Sequence, residues 1–174
     1  DHNVEFKKSS LVEIGICSEE DIEKFDYFEM LSMITWGLWA LRRSPDDNDG
    51  LSLLKPFIEI RFVTGDKKGF DISKKRIVDD MDYELDLVST IRRIDWIASK
   101  YNLENVIYMG DGIFDHYVMK KVGYSIAPAN ADELAKKHAR FITDRSGGDR
   151  AVAEACLHIL DKFFTSYDPS KLPL

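Results

Sequence analysis

The chain has 174 residues, 44% hydrophobic and 32% charged, with a formal net charge of −7. That length favours a single domain with a core large enough to need no staples. The acidic balance, without a dense Lys/Arg run, argues against a nucleic-acid partner and leaves any anionic substrate to local groups or a metal. Cys17 and Cys156 are far apart and lack a motif, which argues against a disulfide framework and fits a reducing, cytoplasmic setting. The opening Asp1-His-Asn-Val-Glu5 does not read as a secretory leader. The most apolar run, Met30–Leu41, is about 12 residues, too short for a bilayer, so no membrane span is expected.

Val4 to Ile16 alternates loosely and reads as one or two short extended segments. Ser18-Glu-Glu-Asp21 has the look of a helix start, with a Ser N-cap and acidic residues in the first turn. Apolar residues at 22, 25, 28, 31 and 34 follow at helical spacing, which predicts an aromatic-rich helix over Phe25–Leu41. Its aromatics are expected in the core or in a stripe used for contacts. Ser44 to Gly50 predicts a polar loop. Asp47-Asn48-Asp49 does not make a calcium loop, because Pro56 stands where the closing glutamate would be.

Phe57–Val63 predicts a strand that stops at Thr64-Gly65-Asp66. Phe70–Met81 reads as a helix with Ile72 and Ile77 inward. Asp86–Tyr101 reads as a second helix, with Leu87, Ile91, Ile94 and Ile97 on one face. A strand over Asn105–Met109 and a short helix over Phe114–Val122 follow. Next come a strand over Tyr124–Ala127, a helix over Ala131–His138, a short strand over Arg140–Thr143 and a helix over Arg150–Phe164. Strands alternating with helices point to an α/β fold with a mostly parallel sheet covered on both faces.

In such sheets ligands bind at the carboxyl edge, so residues just past the strand ends are the candidates. Thr64 and Gly65 follow one strand; their hydroxyl and N–H suit a phosphate oxygen. Asp111 follows another across the Gly110–Gly112 turn, with Asp115 four places on. Two carboxylates there suit a hard, oxygen-liganded cation such as Mg2+. Turn residues that merely cap strands would look the same. His116 reads as a surface-helix histidine.

Two stretches carry a family likeness: Tyr108-Met-Gly-Asp-Gly-Ile-Phe-Asp115, and Met119-Lys-Lys-Val-Gly-Tyr-Ser-Ile-Ala-Pro-Ala-Asn-Ala131. With Arg145-Ser-Gly-Gly-Asp-Arg-Ala-Val-Ala-Glu154, they resemble the haloacid dehalogenase-like (HAD) phosphatases. The nearest branch is the capless one that contains 3-deoxy-D-manno-octulosonate 8-phosphate phosphatase. Ile58–Gly65 resembles the family's second motif and Val4–Ser9 the hairpin after its first. Residues 17–48 are left over, as a helical insertion.

The resemblance implies a Rossmann-like domain without a large cap, and a homo-oligomer. It implies Mg2+-dependent hydrolysis of a small-molecule phosphomonoester, a sugar acid phosphate, through a phospho-aspartate. It puts the phosphoryl group on Thr64 and Gly65, and the metal on Asp111 with Asp115 ligating or supporting it. The family's nucleophile motif, Asp-x-Asp-Gly at the end of the first strand, is expected upstream of Asp1. Asp47-Asn-Asp-Gly50 matches its letters without a preceding apolar strand. The family's third-motif lysine is expected near Ser89 or Thr90 and is absent; Arg92 and Arg93 are nearby. Asp66 stands where relatives are usually basic. The alternative is a catalytically inactive binding or scaffolding domain, for example beside a nucleotide-sugar cytidylyltransferase.

Overall fold

The computed structural model describes residues 31–35 and 49–170. Readings for 4–16, for 18–21 and for most of 25–41 fall outside them. Six strands form one parallel sheet: β1 (Leu31–Thr35), β2 (Glu59–Thr64), β3 (Glu84–Leu87), β4 (Val106–Met109), β5 (Tyr124–Ala127) and β6 (Phe141–Ile142). Their order is β3-β2-β1-β4-β5-β6. The helices are α1 (Asp49–Leu54), α2 (Phe70–Lys74), α3 (Arg93–Lys100), α4 (His116–Met119), α5 (Glu133–His138) and α6 (Ala151–Phe163). A π-helical turn, Lys75–Asp80, extends α2, and a 3-10 turn, Thr90–Arg92, leads into α3. Among the described residues there is no cap domain, and no helix long and apolar enough to cross a membrane.

The sheet separates two apolar layers, and alternation along each strand assigns the side chains. Ile107 and Met109 of β4 join Ile60, Phe62 and Ile126 on the face covered by α1 and α6. Val106 and Tyr108 join Val63 and Ala127 on the face covered by α3, α4 and α5. Both faces being buried, β4 is a continuous apolar run and β5 is one broken only by Ser125, which makes both readable. Two glycines permit close approaches. A Cβ on Gly50 would lie 2.7 Å from Cys156 Cβ, so α1 is pressed onto α6. A Cβ on Gly123 would lie 1.8 Å from the Glu104 carbonyl oxygen.

Four expectations are corrected. The first is the helix over Phe25–Leu41: Leu31–Thr35 is a strand at the middle of the sheet. It pairs with β2 from Leu31↔Glu59 to Thr35↔Val63, and with β4 from Leu31↔Val106 to Ile34↔Met109. A short apolar run fits both periodicities, and the two hydrogen-bonded neighbours decide for strand. Five residues of the supposed helical insertion therefore belong to the fold's centre. The first strand, expected upstream of Asp1, has its place between β2 and β4 filled from within the chain.

The second is the helix over Asp86–Tyr101. Glu84-Leu-Asp-Leu87 is strand β3, and α3 begins only at Arg93. The polar–apolar alternation there is a strand signal that the helical template at 87, 91, 94 and 97 obscured. Leu87 and Ile91 are accordingly exposed, and Ile97 is buried. The third is Ile72, which is half exposed while Ile77 is buried. The fourth is the loop over Ser44–Gly50, which ends earlier than expected, since Asp49 and Gly50 already belong to α1.

Candidate functional site

Register puts the candidate residues at one edge. Ile34 of β1 is level with Phe62 on one side and Met109 on the other. Thr64 and Asp111 each lie two residues further along, so they flank the end of β1 at one height. Two strand spacings separate them, about 10 Å at the backbone. The structure therefore brings Thr64, Gly65 and Asp111 to a common edge.

On the β2 side Thr64 is buried, and its Oγ1 accepts the Asp66 N–H at 3.1 Å. That bond occupies the oxygen and leaves the hydroxyl proton available to a ligand. Asp66 turns inward to its own loop: Oδ1 accepts the N–H groups of Lys68 (2.9 Å) and Gly69 (3.0 Å). It shapes the entry to α2 where a basic residue was expected to meet phosphate. Val88 N–H donates to the Thr64 carbonyl at 2.9 Å. A Cβ on Gly65 would lie 3.3 Å from Thr90 Oγ1, so the loop after β2 lies against the start of the 3-10 turn.

On the β4 side the two aspartates differ. Asp115 is buried, at 3% exposure. Its Oδ1 accepts from Tyr108 OH (2.6 Å) and Arg93 Nη1 (2.8 Å), and its Oδ2 accepts the Gly112 N–H (2.8 Å). Arg93 Nη1 also donates to Tyr108 OH at 2.8 Å. Arg93 and Tyr108 are 5% and 0% exposed. Burial alone would lower the guanidinium pKa, but Tyr108 and Asp115 outweigh it and hold Arg93 above its usual value. Asp115 thus has the form of a supporting group, with both oxygens engaged.

Asp111 presents an exposed side chain, whose carboxylate is met by its own backbone N–H. Partial desolvation by the surrounding protein pushes its pKa up, and the charge of Asp115 adds to this; its own backbone and Arg93 oppose. A carboxylate in that position favours a counter-charge. Mg2+ typically keeps several waters and uses one or two carboxylates plus substrate phosphate oxygens. Asp111 fits that requirement as a single protein anchor. No group of three or more ligating side chains surrounds it among the described residues.

Arg93 and Tyr108 were not singled out from sequence as site residues. Tyr108 lay inside an apolar strand, and nothing in one dimension shows that its hydroxyl meets Asp115. No lysine stands near Ser89 or Thr90, and the buried cation of this site is Arg93. His116, expected on the surface, is buried, and its Nδ1 lies 2.6 Å from the Ile113 carbonyl. Asp49-Gly50, the end of the Asp47–Gly50 letter match, opens α1 against α6. The strand that does end between Thr64 and Asp111 carries no carboxylate. Residues 30–45 contain neither Asp nor Glu.

Residues 90–155 match the profile of haloacid dehalogenase-like hydrolases. A 3-deoxy-D-manno-octulosonate 8-phosphate phosphatase from Salmonella typhi is 47% identical over 53 residues, which is 30% of this chain and 28% of that protein. The matched stretch thus spans little more than a quarter of that curated relative. Among solved structures, a HAD family hydrolase from Streptomyces avermitilis superposes with a TM-score of 0.66 at 18% identity, covering 84% of this chain and 93% of that one. The octulosonate phosphatase of Moraxella catarrhalis, solved with magnesium ion, phosphate ion and KDO, gives 0.63 at 20% identity over 83% and 92%. Residues 90–155 thus carry a haloacid dehalogenase-like segment, and the chain shares the fold of these solved structures.

Proposed function

We propose that this protein binds a phosphomonoester, of the sugar acid phosphate class, at the carboxyl edge of its sheet, and that it does not turn the ester over through a phospho-aspartate. One observation carries the reading. The central strand, flanked by Thr64 and Asp111, ends in Met33-Ile34-Thr35, and the first carboxylate after it is Asp46. An acyl-phosphate intermediate needs a carboxylate within bonding reach of phosphorus. The flanking groups meanwhile keep the chemistry of phosphate recognition.

In this reading the Thr64 hydroxyl donates to a phosphate oxygen. Asp111 anchors Mg2+, which when bound neutralises part of the phosphate charge. Asp115 holds the turn that carries Asp111. With one protein carboxylate, metal affinity depends on phosphate: each strengthens binding of the other by the same factor. The choice of a sugar acid phosphate rests on the octulosonate phosphatases that match the carboxyl-terminal segment. A protein of this kind serves as a phosphate-responsive binding domain.

Titration calorimetry with inorganic phosphate, with and without Mg2+, together with a p-nitrophenyl phosphate assay, tests this. The expected result is phosphate binding that needs Mg2+, weakened by Asp111→Asn, with no turnover above background. Turnover abolished by Asp111→Asn would overturn the non-catalytic reading. Phosphate binding indifferent to both Mg2+ and Asp111→Asn would overturn the site itself.

A further inference from the structure

We infer that Arg93 is a positioning residue that fixes the two halves of this site relative to one another, through the segment Val88–Arg93. Three contacts tie that segment to the edge. Val88 N–H donates to the carbonyl of Thr64. Thr90 Oγ1 lies against Gly65, closely enough that a Cβ there would meet it at 3.3 Å. Arg93 Nη1 reaches Asp115 Oδ1 at 2.8 Å. One short stretch therefore touches the phosphate half and the metal half. It belongs to neither β2 nor β4: its bond from Val88 continues the β2–β3 pairing, and from there it crosses to Asp115, so it ties the spacing of the two halves together.

Asp115 transmits the effect. Its Oδ2 accepts the Gly112 N–H, its own N–H donates to the Gly112 carbonyl at 3.0 Å, and its carbonyl accepts from Val118 and Met119. The turn that presents Asp111 and the first turn of α4 are both built on this residue. Arg93 and Tyr108 hold its other oxygen, which fixes the carboxylate plane.

The orientation of Arg93 favours this role over simple stabilisation. Among the described residues its Nε is buried without a hydrogen-bond partner. Leaving that donor unsatisfied carries a free-energy cost, which an arginine kept only for stability would relieve. The orientation instead directs a single Nη to both Tyr108 and Asp115. Partners that hold a ligating or supporting carboxylate typically change metal affinity by roughly 10- to 100-fold when removed.

The test rests on the binding reading above and separates its failure from this one. Arg93→Met, Arg93→Lys and Tyr108→Phe are compared with Arg61→Met, which removes a part-buried arginine paired with carboxylates on β2 and β3, away from the site. Two readouts are used: Mg2+-dependent affinity for inorganic phosphate, and hydrogen exchange at the Gly112 amide. Arg93→Met is expected to weaken phosphate roughly 10- to 100-fold and to deprotect Gly112. Arg93→Lys is expected to recover part of both, and Tyr108→Phe, which keeps the ring's packing, to give a smaller loss of both. Arg61→Met is expected to lower stability and leave both unchanged. Phosphate affinity following stability alike in the Arg93 and Arg61 variants overturns the proposal, as does an unchanged Gly112 amide in both Arg93→Met and Tyr108→Phe. If the unaltered protein binds no phosphate, the binding reading fails, and Gly112 exchange alone decides for or against positioning. If Arg93→Met does not fold, Arg93→Lys and Tyr108→Phe decide by the same two readouts.

Discussion

The two flanks of β1 are held together by different means. On the β2–β3 side the prominent polar feature is an ion-pair ladder: Arg61 contacts Asp86 at 3.0 Å and Glu59 at 3.3 Å, and also pairs with Glu84. Its carboxylates are partly or largely exposed. On the β4–β5–β6 side, the Glu154 and Asn130 side chains bind backbone 9 to 17 residues away, whereas Asp66 on the first flank reaches only two or three residues on. Asp115 takes the Gly112 N–H, and Glu154 takes the N–H groups of Asp144 (2.8 Å) and Arg145 (3.0 Å). Asn130 Oδ1 takes the Gly147 N–H at 2.7 Å. The family match, residues 90–155, falls on the second flank.

The largest expected effect comes from the second flank's buried pair. Asp115→Ala leaves the Arg93 guanidinium buried without its carboxylate, and removing one partner of such a pair costs about 3–5 kcal/mol. Urea unfolding should show the midpoint fall sharply with little change in m. A loss below about 1 kcal/mol would mean that the pair is solvated and that the contrast between the flanks is false. Gly123→Ala comes next. The added methyl would overlap the Glu104 carbonyl at 1.8 Å, and backbone must move to accept it. Overpacking of this kind costs about 1–3 kcal/mol. On the first flank Arg61→Met is expected to cost about 1 kcal/mol, because its carboxylates fall back on water. An Arg61→Met loss equal to that of Asp115→Ala would erase the distinction.

The second flank was also the more legible in sequence. Val106–Met109 and Tyr124–Ala127 are short apolar runs bounded by glycine or proline, and the strands fall on them. Thr64, Gly65 and Asp111 are singled out by the rule that strand ends carry the ligands, and the register puts them at one edge. The apolar-run rule misses β1 at the centre and β3 on the first flank. Leu31–Thr35 and Glu84–Leu87 each fitted a helical spacing in isolation, and only their neighbours in the sheet make them strands. Arg93 and Tyr108 escaped for another reason. Their partnership with Asp115 spans 22 and 7 residues and exists only once α3 packs on β4. A search for buried charge pairs needs coordinates.

The smallest expected effect sharpens the comparison at the open edge between the flanks. The pKa of Asp111 is raised in the folded protein above its ordinary value of 3.8. Between the unfolded and the folded pKa the native state therefore holds more proton than the unfolded state. Stability then falls as pH rises through that window, and the ionised carboxylate is a net burden at neutral pH. Asp111→Asn keeps the shape and removes the charge. It should raise the unfolding midpoint slightly at pH 7, by less than about 1 kcal/mol because the group is exposed to solvent. The gain should shrink as pH falls towards the ordinary aspartate range, where both proteins carry a neutral group. Saturating Mg2+ and phosphate should reverse the order, because a ligand that needs the carboxylate stabilises only the unaltered protein. If Asp111→Asn destabilises at pH 7 without ligand, the carboxylate has a partner in solution and the edge is closed there.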